Sequence, residues 1–410
     1  MSDGRTSVGV RVAAVLIPVV LVLGLLEIVV RVTGLSSTNH RMVHEGLVVK
    51  GRPGSSYVNN AENRNVVRLN NRGFHDRDWS TRGDAYGILF FGDSMTEGIQ
   101  VAVDSLFTSR LEDRLRATGL DVDVMNAAVS ATGTGHQYLL WKTYIPDSGV
   151  RVDRIVLCLF PQNDLKNNHV GIGKGPESYG VYLGPDGTPW VQREEPFAQT
   201  IARRVTNYSA LANLVYTRLH YLRTGTGADD EIAILGAPGE TRISGGGPAD
   251  EGAPEVARRH EEGADERRHP DPAGSDEADG SVRRHPDLAP AGADSLWADA
   301  MRRTLRLIRR WNEEARAAGI AFSVAIIPST DENNFYENEL SRRLVADAEA
   351  GRLDVLALTL GGRSPVKTNS FDGESVGHLN YAGHRLVAEE LYEWSAPRVL
   401  TDAEEGGEGE

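Results

Sequence analysis

Four separated stretches of this sequence carry side chains that could together run acyl chemistry. "YGILFFGDSMTEG", from Tyr86, ends an apolar run in Gly92-Asp93-Ser94. "NAAVSATGTG", from Asn126, is a loop of small residues, and "PQND", from Pro161, offers the Asn163 amide and the Asp164 carboxylate. Late in the chain, "FDGESVGHLNYAGH" supplies Asp372, Glu374, His378 and His384. A serine hydroxyl is a weak nucleophile until a base takes its proton, and imidazole is the usual base at neutral pH. A carboxylate on the other ring nitrogen fixes the tautomer and stabilises the imidazolium. The oxyanion then formed needs donors already in place, each worth on the order of 3 kcal/mol. Each stretch alone is a common turn, but the chain holds a nucleophile, a base, a carboxylate and an amide donor in a workable order.

The elements that must position these groups alternate in type. Strands are expected at 86–91, 121–126, 154–160, from Ile320 and from Asp354. Helices are expected at 104–117, about 135–144, 208–223, 295–319, 338–350 and 381–395. Leu106, Phe107, Leu111 and Leu115 share a helical face, as do Trp297, Met301, Leu305, Ile308, Trp311 and Ala315. The unbroken apolar run "RIVLCLF" suits a parallel strand covered on both sides. Such alternation implies a parallel sheet with helices on both faces, whose working groups lie beyond the carboxyl ends of the strands. Three of the four stretches stand at such ends.

Composition narrows the partners. The 410 residues carry a net charge of -14, which argues against a nucleic-acid partner. The single cysteine, Cys158, excludes an intrachain disulfide and sits in an apolar run where a thiol acts as a small buried hydrophobe. At the N-terminus, Val12 to Leu26 is free of charge, and past Glu27 the apolar character continues through Val30. Extended so, the run reaches the roughly 20 residues that cross a bilayer. An uncleaved anchor is favoured over a removed signal, and the lack of a polar stripe disfavours a buried soluble helix. Arg5 and Arg11 on one side face Arg31 and Arg41 on the other, so charge leaves the orientation open.

The domain plan is an anchor at 1–34, a connecting arm at 35–80, an α/β domain at 81–223 and 294–397, and an acidic tail at 398–410. Residues 224–293 interrupt the domain. They are rich in Gly, Pro, Asp, Glu and Arg, repeat "RRH" three times, and read as a disordered insertion too polar to offset its ordering entropy. Their histidines match no metal-ligand spacing.

Together the four blocks resemble the SGNH or GDSL hydrolases. "FFGDSMTEG", "NAAVSATGTG", "PQND" and "GHLNYAGH" fall in that family's order across about residues 65–395, and "LLEIVVRVTG" with "NNRGFHDRDW" resembles its membrane-anchored bacterial branch. The resemblance implies a three-layer α/β/α, flavodoxin-like fold with about five parallel strands, and a domain outside the cytoplasm. It implies Ser94 as nucleophile, His378 as base, and Ser94 N–H, Ala131 N–H and the Asn163 amide as oxyanion donors, with Gly133 near Ala131. The family places an acid two or three residues before the histidine, where this chain has Val376 and Ser375. Asp372 is therefore preferred, with Glu374 the alternative. His384 is expected to pack beside the site, and Asp93 and Asp164 to brace their turns. No cofactor and no metal are implied. The expected activity is hydrolysis of an ester, an acetyl or short acyl group on a small molecule, glycan or lipid. An O-acyltransferase of a surface polysaccharide on the same triad, and a non-catalytic binding or assembly protein on this fold, are the alternatives.

Overall fold

The computed structural model describes residues 8–224 and 293–407, except positions 34, 37–40, 45–47, 60–61, 64, 81–82, 170–171, 173–178, 184–188, 194–200, 203–204, 207, 329–334, 364 and 372–376. The expected insertion at 224–293 thus lies, from 225 to 292, outside the described residues. Helix α1 (Val8–Thr33) leads into two antiparallel hairpins, β1 (Arg41–His44) with β2 (Val48–Gly51) and β3 (Ser56–Asn59) with β4 (Asn65–Arg68). There follow β5 (Tyr86–Phe91), α2 (Ser94–Glu97), α3 (Phe107–Ala117), β6 (Val122–Asn126), α4 (Thr134–Thr143), β7 (Arg154–Leu159) and α5 (Pro161–Asn167). A third hairpin, β8 (Tyr179–Leu183) with β9 (Pro189–Arg193), precedes α6 (Ala210–Thr224). The chain continues with α7 (Ala293–Ala317), β10 (Ala321–Ile326), α8 (Phe335–Glu349), β11 (Asp354–Ala357), α9 (Pro365–Thr368) and α10 (Tyr381–Gly407).

Five of these strands form one parallel sheet in the order β11-β10-β7-β5-β6. Strand side chains alternate between faces, and here both faces are apolar. Ile88 and Phe90 of β5 join Phe107, Leu111 and Leu115 of α3 and Val387 and Leu391 of α10 on one side. Leu89 and Phe91 join Tyr138 and Trp141 of α4, Trp311 of α7 and Leu340 of α8 on the other. This is the expected three-layer arrangement. From β5 the chain steps outward to β6 and then returns to β7 on the far side of β5. Loops after β5 and β7 therefore diverge, leaving a crevice at this reversal of strand order. Ser94 follows β5 and Asn163 follows β7.

Three elements depart from the sequence reading. The acidic tail is helical as far as Gly407, because α10 runs on from Tyr381 without a break. The β8–β9 hairpin was not foreseen. The arm at 35–80 does more than connect, since it folds into two hairpins and docks on the sheet. Asn70 Oδ1 accepts from the amides of Arg72 and Phe74, closing the "NNRG" turn. Phe74 then stacks on Trp79 at 4.8 Å, and both rings join the cluster around Leu89. Asp76 Oδ2 accepts from Trp79 Nε1 at 2.7 Å and from the Asn126 amide of β6 at 2.8 Å.

Asp76 is buried, and that burial pushes its carboxyl up to about 7 despite these donors. Burial likewise raises the carboxyls of Asp93 and Asp164. A carboxyl whose folded value lies above its unfolded one holds its proton more tightly in the native state. Its contribution is complete below the unfolded value near 4 and is lost as pH rises through the folded value. Thermal stability is expected to decline from pH 4 to pH 7, with Asp76 alone worth on the order of 4 kcal/mol. Melting curves of Asp76→Asn across that range should show a shallower decline, and an unchanged slope would contradict the assignment.

Candidate active site

The turn after β5 is built around Asp93. Its Oδ1 accepts from the Met95 amide at 2.9 Å, which caps α2 and starts the helix at Ser94. Its Oδ2 accepts from Asn163 Nδ2 at 2.9 Å, so one buried carboxylate ties the serine turn to the turn after β7. Gly92 is required here by space, because a Cβ would lie 2.3 Å from Thr96 Oγ1 and 2.6 Å from Thr96 Cβ. Asp164 braces the neighbouring turn, accepting from Thr134 Oγ1 and from the Phe160 amide. Burial is the main cause of its raised carboxyl, and the nearby Asp93 charge adds to it.

His378 stands three residues before the start of α10. Asn380 caps that helix, its Oδ1 accepting from the Gly383 amide while its Nδ2 donates to the carbonyls of Lys367 and Ser370. The geometry brings His378 Nε2 to 2.8 Å from Ser94 Oγ, joining residues 284 positions apart.

The other ring nitrogen meets a residue that sequence reasoning missed. His378 Nδ1 lies 2.7 Å from Glu62 Oε1, and the His378 amide donates to both carboxylate oxygens at 3.2 and 3.1 Å. Glu62 belongs to the arm, between β3 and β4. Asn63 Nδ2 donates to the Gln100 carbonyl, and Asn65 Nδ2 to those of Ile99 and Val101. Gln100 Nε2 in turn donates to the Leu379 carbonyl. The Ile99–Val101 segment therefore grips the hairpin that carries Glu62 and the loop that carries His378. Gly377 makes room for this approach, since a Cβ there would lie 2.3 Å from Glu62 Oε1. Asp372 and Glu374, the carboxylates expected from sequence, lie outside the described residues. The signal for Glu62 was indirect: no acid stands at the two positions where the resemblance calls for one, and "AENRN" has no spacing of its own.

Ala131 has φ 62°, the left-handed region that costs a non-glycine residue roughly 1–2 kcal/mol. Alanine thus occupies a turn that does demand positive φ. Glu97, at the end of α2, secures the residue before it, its Oε2 accepting from both the amide and the hydroxyl of Ser130. Among the described residues, the amides of Ser94 and Ala131 donate to no protein acceptor. Asn163 keeps one amide hydrogen beyond the one given to Asp93. Sequence reasoning named these three groups as oxyanion donors.

His384 packs beside the site as expected. It is buried, stacks on Phe107 and accepts from the Phe107 amide, and burial lowers its imidazole to about 3, which keeps it neutral. The Cys158 thiol is buried and pushed up to about 12 by that burial, so it is no nucleophile. Among the described residues no group of three or more His, Cys, Asp or Glu is arranged to hold a metal ion. A cavity of about 360 Å³ lies elsewhere, bounded by Asp76, Glu112, Arg116 and Asp123. None of the residues that meet at His378 lines it.

No family model matches the chain, and no curated protein matches it. Among solved structures it is similar to TesA, with 12% identity over 76% of this chain and 98% of that one at a TM-score of 0.37. It is similar to the psychrotrophic esterase EstA from Pseudoalteromonas sp., with 10% identity over 77% and 98% of the two chains at 0.35. It is also similar to the acetyl xylan esterase AlAXEase, with 12% identity over 75% and 98% at 0.33.

Glycine at position 131 would relieve the left-handed strain while giving the unfolded chain more freedom, a cost of roughly 0.4–1 kcal/mol. Ala131→Gly is expected to stabilise the protein by about 0.5–1 kcal/mol, read as a higher Tm at unchanged or improved activity. A lower Tm would show that the turn relies on the alanine methyl group.

Proposed function

We propose that this chain is a serine hydrolase of the SGNH type, cleaving esters through an acyl-enzyme, and that α1 anchors it in a membrane. One observation carries the enzymatic reading. The two ring nitrogens of His378 engage Ser94 Oγ at 2.8 Å and Glu62 Oε1 at 2.7 Å. Glu62 takes the hydrogen bond from Nδ1–H, which leaves the Nε2 lone pair facing the serine hydroxyl. As Ser94 Oγ attacks the ester carbonyl, His378 receives its proton and Glu62 stabilises the cation. The Ser94 and Ala131 amides and Asn163 Nδ2 stabilise the oxyanion. His378 then gives its proton to the departing alcohol, and a water activated by the same imidazole releases the acid. Glu62 fills the role first considered for Asp372 or Glu374.

The substrate proposed is an acetyl or short acyl ester of a glycan or lipid. The anchor reading is supported by α1 itself, 25 residues from Gly9 to Thr33 that are long and apolar enough to cross a bilayer. Its apolar side chains are exposed along the helix.

Ser94→Ala is expected to abolish p-nitrophenyl acetate hydrolysis and fluorophosphonate labelling. Glu62→Gln should keep the fold but lower kcat by roughly 10²–10⁴, as loss of the orienting carboxylate does in such triads. Asp372→Asn should stay within a few fold of the parent. Retained labelling of Ser94→Ala would sink the hydrolase reading, and full activity in Glu62→Gln would remove Glu62 from it.

A further inference from the structure

Helix α6 has its own N-cap in Ser209, whose Oγ accepts from the Ala212 amide at 3.0 Å. Its first amides are capped from α1. Glu27 Oε1 accepts from the Ala210 amide and Oε2 from the Leu211 amide, both at 2.9 Å, and Oε2 also accepts from Ser209 Oγ at 2.8 Å. Arg31, paired with Glu27, donates from Nη2 to the Tyr208 carbonyl at 2.8 Å. Four polar contacts thus join the start of α6 to one turn of α1. That turn directly follows the uncharged run Val12–Leu26, so it lies where a spanning helix would leave the hydrocarbon. A carboxylate at that depth is costly unless it is paired and hydrogen-bonded, and the amides of α6 satisfy it.

The outward side of α6 is apolar. Val215 and Leu219, one turn apart, are 49% and 51% exposed, and Val205 and Tyr208 just before the helix are 50% and 80% exposed. Arg218 is exposed beside them. Apolar residues with an aromatic ring and a flanking arginine are the composition of a helix lying at a lipid–water boundary. Water is a poor solvent for this surface, and the structure holds it against the helix that would bring lipid to it.

We propose that α6 lies on the bilayer surface, with Val215 and Leu219 among the lipid headgroups and acyl chains, and that the Glu27 cap holds it there. This rests on the reading of α1 as a retained anchor. It adds a second, surface-lying membrane contact joined by one carboxylate to the span.

The test uses the full chain in proteoliposomes, with Leu219→Cys carrying an environment-sensitive dye; buried Cys158 should stay unlabelled in a parallel sample of the parent. The dye is expected to be quenched by nitroxide-bearing lipids several-fold more than by aqueous iodide, with emission shifted to the blue of its free cysteine adduct. Adding Glu27→Ala should reverse that quenching preference while the chain stays in the bilayer. A water-like dye at position 219 in vesicles that keep the protein through alkaline carbonate washing would overturn the surface helix and leave the anchor standing. A chain stripped by that wash would overturn both. Lipid quenching unaffected by Glu27→Ala would overturn the role of the cap.

Discussion

The hydrogen-bonded line Ser94–His378–Glu62 is the interaction on which the site depends, and its members come from three distant parts of the chain. An imidazole can serve as base toward a serine only when its other nitrogen carries the proton, and a carboxylate at Nδ1 enforces that. Here the carboxylate also binds the histidine backbone, so one side chain sets both the position and the tautomer of the ring. The cost of ordering such a group is met by the β3–β4 hairpin, whose Asn63 and Asn65 lock onto the Ile99–Val101 backbone.

That segment follows α2 after Gly98, and α2 starts at Ser94. Serine turn, hairpin and histidine loop therefore share one short stretch of backbone as their reference. Buried carboxylates extend the framework. Asp93 ties the serine turn to Asn163, Asp164 closes the turn after β7, and Asp76 fastens the arm to β6. Each sits where solvent is excluded, which raises its carboxyl and makes the framework sensitive to pH.

Two further features lie outside the sheet and the helices that flank it. Alanine takes the left-handed position in the second block, where a glycine would be unstrained. Among the described residues its amide donates to no acceptor, so the strain falls on stability. And α1 does not stop at spanning length but caps a second helix through Glu27. The same arm that leaves α1 goes on to deliver Glu62, which places the apolar helix and the carboxylate that meets His378 on one continuous stretch of chain.

The strands and helices were legible because apolar runs and helical periodicity are local properties, each written within a dozen residues. Ser94 and Asn163 were legible for a related reason, since each follows a strand whose position in a parallel sheet comes from its order. His378 was legible only as part of the block before the last helix. Glu62 was not. A carboxylate can reach an imidazole from any direction, and nothing local distinguishes an acidic loop residue that folds back over 316 positions from one that faces water. The left-handed backbone at Ala131, the steric demand at Gly92 and Gly377, and the capping of α6 by Glu27 are likewise contacts between segments remote in the chain. Residue type alone determined which chemistry was available; packing in three dimensions decided which acid, and which turn, would carry it.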